Sequence, residues 1–124
     1  MAGWRIVFIV AALFNLAVGL AMLLAPAAVT GAAAAPAELL VSRTAALLIA
    51  TFGIGYAMVA WQPRDHRGIV VLGIIGKASL VATVAVMAAQ GQVPMSVAAL
   101  VGGDLLFVLL FAAFLLRTKR FVQR

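Results

Sequence analysis

Four apolar runs, each long enough to cross a bilayer, leave this chain almost no alternative fold. They extend from about Arg5 to Ala25, Glu38 to Gln62, Ile69 to Gln90 and Met95 to Leu116. A hydrocarbon core about 30 Å thick needs about 20 helical residues to span it. None of the runs alternates in polarity, as a membrane strand would. Backbone N–H and C=O groups in lipid must be satisfied within the segment, so each run is expected to be a helix. Connections this short make consecutive helices antiparallel neighbours. The expected fold is therefore all-α, one transmembrane domain over residues 1–124: an integral membrane four-helix antiparallel bundle.

Composition agrees. Hydrophobic residues make up 67% of the 124 residues and charged ones 10%, against about 25% charged in a soluble domain. The net charge of +6 sits in clusters between the runs and follows no nucleic-acid-binding pattern, so nucleic acid is not an expected partner. With no cysteine, disulfides, thiolate chemistry and Cys-ligated metal are excluded. One His and three carboxylates (Glu38, Asp65, Asp104) make a protein-held metal site improbable, and no cofactor is expected. The first run has the flavour of a signal peptide but exceeds the usual ~7–15 apolar residues, so it is read as a retained helix.

Breakers set the boundaries. Pro26 ends the first run, and an uncharged connection through Thr30-Gly31 leads to Pro36. Pro63 to Gly68 forms a charged hairpin, Gly91 to Pro94 an uncharged turn, and Arg117 to Arg124 a basic tail. Arg5, Arg64, Arg67, Arg117, Lys119, Arg120 and Arg124 all fall on one side of an up-down-up-down bundle. The other two connections carry no Lys or Arg. Both termini and the hairpin are thus expected on the cytoplasmic side.

The polar residues inside the runs are the functional candidates, above all Lys77. At 1.5 Å per residue, Asn15 lies about 15 Å from one boundary, Lys77 about 13 Å above Gly68 and Asp104 about 13 Å below Met95. All three fall near half depth. Arg43 lies shallower, about 8 Å inside the outer boundary. Ionisable groups in a membrane face the bundle interior and pair, so Asn15, Arg43, Lys77 and Asp104 are expected to share an internal polar layer that contacts a ligand. Were Arg43 to join Lys77 there, two cations would share Asp104 and leave a surplus positive charge. Asp104 is also the candidate acid or base. A purely structural Lys–Asp pair fixing helix register is the competing account, and recognition of a partner subunit is another.

Gly73, Gly76 and Lys77 share one helix face, as do Asn15 and Gly19, and small residues let membrane helices approach. Phe107, Phe111 and Phe114 form a stripe after Asp104, readable as packing or lipid-facing, or as the lining of a lipophilic pocket. His66 reads as a hairpin surface residue, and Tyr56 as an interfacial anchor.

Asn15 on helix 1, Arg43 near the start of helix 2 with Gly53 and Gly55 downstream, Gly76-Lys77 on helix 3, Gly103-Asp104 on helix 4 and a basic end together resemble the DoxX-like group of small bacterial four-helix membrane proteins. That resemblance implies a bundle in a bacterial inner membrane, associated in some cases with quinol-linked or other redox complexes. The chain is also similar in size and span count to small multidrug resistance transporters, but their membrane-embedded first-helix Glu is replaced here by Asn15. The vitamin K reductase type is excluded by the lack of cysteine.

These readings converge on a protein that binds a lipophilic small molecule, quinone-like or lipid, or serves as accessory subunit of a membrane redox complex. The alternatives are a small dimeric proton-coupled transporter and a membrane isomerase or cyclase using Asp104.

Overall fold

The computed structural model describes residues 2–25 and 36–119. The connection through Thr30-Gly31 and the basic tail beyond Lys119 lie outside the described residues. Four helices account for nearly all the rest: α1 (Ala2–Leu24), α2 (Pro36–Trp61), α3 (Arg67–Ala89) and α4 (Met95–Arg117). Among the described residues there is no strand. Each helix starts within three residues of the expected boundary, and each is long and apolar enough to cross a membrane.

The outer surface supports the same reading. Large apolar side chains stand exposed around every helix, including Leu13, Leu40, Ile75 and Leu109, an apolar exterior that water does not tolerate on a small monomer. The exposed hydroxyls of Thr44, Thr51, Ser79 and Thr83 each donate to the carbonyl four residues earlier, at 2.7–2.8 Å. Such back-bonding hides a hydroxyl where no water is available. The four helices mark a multi-pass membrane protein.

Packing is closest between α1 and α2. A Cβ on Gly19 would lie 2.8 Å from the Ala46 carbonyl oxygen, and one on Gly53 3.1 Å from the carbonyl of Ala12. Only glycine permits backbones this close, and the gain is dispersion and carbonyl contact rather than hydrophobic transfer. Phe8 of α1 stacks on Phe111 and meets Phe114 edge-on, with ring centroids 5.0 Å apart in each case. Trp4, Val59, Val70 and Phe107 complete an aromatic core at the end holding the 62–66 hairpin. The phenylalanine stripe is thus buried packing, not a lipid-facing band.

That end is also tied by Arg67, which sequence alone presents as one more orienting charge. Its guanidinium donates to Thr118 Oγ1 and, at 3.1 Å, to the Leu115 carbonyl, and lies 5.7 Å from the Phe114 ring centroid. It satisfies the Leu115 carbonyl, one of those that the last turn of α4 leaves without an intrahelical partner. At the opposite end, Gly91 takes φ 68°. Its N–H reaches the Ala88 carbonyl at 3.0 Å and that of Gln92 reaches Met87 at 2.9 Å. This is a glycine-dependent Schellman stop, and Pro94 then opens α4.

Candidate functional site

The register that packs Phe8 against Phe111 brings Asn15, Lys77 and Asp104 together, one from each of α1, α3 and α4. The Lys77 ammonium donates to Asp104 Oδ1 in a salt bridge and to Asn15 Oδ1 at 2.9 Å. Asn15 Nδ2 donates in turn to the Ile49 carbonyl of α2 at 3.1 Å, so all four helices meet at this level. Lys77 and Asp104 are each 7% exposed. The shared depth expected from helical rise is therefore a shared site.

Three rings surround the ammonium. Its Nζ lies 5.5 Å from the centroids of Phe14 and Phe107 and 5.6 Å from that of Tyr56. The negative faces of aromatic rings attract a cation, more strongly where water is absent. Lysine has three N–H donors, and two of them are directed to Asn15 and Asp104. Deep placement of a lysine in lipid thus has its compensation: one carboxylate, one amide oxygen and a ring enclosure.

Two expectations need correction. Arg43 does not join the layer: it is exposed on the outside of α2. The inward face of α2 carries Ala45, Ile49, Phe52 and Tyr56. Two residues of helix turn Arg43 about 160° from Ala45. Depth suggests a neighbour, and angular phase excludes it. Without Arg43 the layer holds one cation and one anion, so the surplus positive charge disappears. Tyr56 is likewise no interfacial anchor. It is 1% exposed and lies over Lys77, with its hydroxyl 2.6 Å from where a Gly73 Cβ would stand. Its place on the Ile49–Phe52 face is the signal that could have found it.

On the side of this layer toward the 90–94 turn, the four helices line a partly open cavity of about 460 Å³. Its walls are apolar, including Val18, Ile49, Phe52 and Leu100, and its floor is Asn15, Lys77, Asp104 and Tyr56. On each of α3 and α4 the lining follows the i, i+3, i+4, i+7 spacing of one helix face: Gly73, Gly76, Lys77 and Leu80, then Val97, Leu100, Val101 and Asp104. On the other side of the layer, the aromatic core blocks the passage. The site is a blind apolar chamber ending on a neutral ion pair. Among the described residues, no group of His, Asp or Glu is placed to hold a metal. His66 lies half-buried in the hairpin and is not among the residues lining the chamber.

No family model, curated protein or solved structure matches this chain.

Proposed function

We propose that the chain is a small protein of the bacterial cytoplasmic membrane that binds a lipophilic molecule, quinone-like or lipid, in the chamber. The observation that carries this reading is the apolar cavity ending on Lys77 and Asp104. Its volume falls in the range of about 300–1,000 Å³ typical of small-molecule sites, which combine apolar walls with a few convergent polar groups. An acceptor on the ligand head would take the remaining N–H of Lys77, while a head hydroxyl could donate to Asp104. Because the pair is neutral, an uncharged ligand fits it best. An anion would add an uncompensated charge beside a carboxylate in a low-dielectric interior.

In this reading the helices form an antiparallel membrane bundle with the termini and the 62–66 hairpin in the cytoplasm. Arg5, Arg64, Arg67, Arg117 and Lys119 supply the cytoplasmic bias, and the 90–94 turn has no counterpart. The likeness to DoxX-like proteins suggests that such a chain works as an accessory subunit of a redox complex, presenting or storing its ligand. Asp104 as acid or base, in an isomerase or a proton-coupled carrier, is the alternative. Its engagement with Lys77 favours binding, since proton exchange would require breaking the salt bridge.

Native mass spectrometry after mild detergent extraction tests the proposal. The wild-type chain should retain an uncharged lipophile, and Leu100→Trp, which fills the chamber from α4, should lose it while staying folded. A bare wild-type chain, or a variant that retains as much as wild type, would refute it.

A further inference from the structure

Taking the chamber as a lipophile site, as proposed above, the geometry points to how its occupant arrives and which class of lipid it can be. We propose that the ligand enters sideways from the bilayer between α2 and α3, with Gly76 as the threshold. The class would be a long-chain lipophile with an uncharged, weakly polar head.

Three observations support the portal. Gly76 belongs to the chamber wall yet is exposed, and a Cβ added there would meet nothing within 4 Å. Leu48 on α2 and Leu80 on α3 also line the chamber while remaining 58% and 41% exposed, so the wall here is a single side chain thick. The close glycine contacts of the α2–α3 seam, Gly55 with Ile69 and Gly73 with Tyr56, involve the parts of α2 and α3 nearest the 62–66 hairpin. Close contacts also occur on two other seams: Gly19 lies against the α2 backbone at Ala46 and Ala50, and Phe14 of α1 covers Gly103 of α4 at 3.2 Å from its notional Cβ.

The class follows from the depth of the floor. Passing from lipid tails into an apolar chamber exchanges one apolar surrounding for another and supplies little driving force. Selection must come from the head reaching Lys77 and Asp104, near half depth. A fatty alcohol or ketone can bring its head there, because its desolvation is offset by one or two hydrogen bonds. A phospholipid would have to carry a charged phosphate into the same layer, which the neutral pair does not compensate.

The test uses the purified chain in liposomes containing a diazirine-bearing fatty alcohol or, separately, a phospholipid with the diazirine on its acyl chain. Cross-linked residues are mapped by mass spectrometry after illumination. The alcohol should label inner-wall residues Ile49 and Val101 in the wild type. Gly76→Phe should reduce that labelling about tenfold and leave exposed Leu72 and Leu109 labelled as before. Gly76→Ala should behave as wild type, and Leu80→Ala should raise inner-wall labelling. The phospholipid should mark only outward residues. Inner-wall labelling that persists in Gly76→Phe and is unmoved by Leu80→Ala would overturn the portal and leave lipophile binding intact. Equal inner-wall labelling by the phospholipid would overturn the ligand class. No inner-wall labelling of the wild type by either probe would remove the binding reading itself, and the portal with it.

Discussion

The side-chain amide of Asn15 joins two helices through opposite ends: Oδ1 accepts from Lys77 of α3 at 2.9 Å, while Nδ2 donates to the Ile49 carbonyl of α2 at 3.1 Å. That second bond fixes which way the amide faces, and so presents an oxygen rather than an NH₂ to the ammonium. Asn15→Leu removes both bonds and leaves the buried Lys77 one acceptor fewer. The expected loss is about 1–3 kcal/mol of stability, read as a lower melting temperature in detergent. Asn15→Asp should behave differently, because a second carboxylate would compete with Asp104 for the same ammonium.

The glycines divide into two groups, and substitution separates them. A Cβ on Gly19 would lie 2.8 Å from a backbone oxygen of α2 that has no room to move. Gly19→Val should therefore force α1 and α2 apart, costing about 1–3 kcal/mol or more. Gly102 faces open space, with nothing within 4 Å, and Gly102→Ala should be neutral or slightly stabilising through helix propensity. Thermal unfolding of the two variants in the same detergent checks the contrast; equal effects would contradict it.

Arg67 is expected to resist conservative replacement. Its guanidinium reaches a hydroxyl and a carbonyl at once while lying near the Phe114 ring, a combination that a lysine ammonium cannot reproduce. Arg67→Lys should fray the last turn of α4, seen as faster amide exchange over residues 114–118, with the chamber end of α4 unaffected. Unchanged protection there would show that Arg67 serves only as an orienting charge.

Orientation can be tested directly because the chain contains no cysteine. Single cysteines at Gln62 and Gln92 should be modified from opposite sides of the membrane by an impermeant thiol reagent: Gln62→Cys from the cytoplasm and Gln92→Cys from outside. Modification of both from one side would contradict the antiparallel arrangement, and reversed sides would contradict the charge argument.

What the sequence discloses here follows the physics of each signal. Rise per residue is nearly invariant in a helix, so residue spacing alone places Asn15, Lys77 and Asp104 at a common depth. Arg43 shows the limit of depth taken by itself. In a chain apolar on every face, no amphipathic stripe marks which side is inward, and only angular position around α2 separates Arg43 from Ala45. Tyr56 is obscured for the same reason, since its place near a helix end suits an interface anchor equally well. Arg67 closing α4 depends on packing between residues some fifty positions apart, which no local pattern encodes. The chamber is the least legible feature of all: it exists because glycines draw α1 onto α2 while α3 stands off from α2 beyond Tyr56.

The most direct measurement is a double-mutant cycle on Lys77 and Asp104, using Lys77→Met, Asp104→Leu and the pair, with unfolding followed in one detergent. Each single variant strands a buried charge and should cost about 3–5 kcal/mol. The double variant should be at least as stable as the single ones, giving a coupling of about 3–5 kcal/mol or more. Additive single effects, or a double variant less stable than either single one, would contradict a shared ion pair at the floor of the chamber.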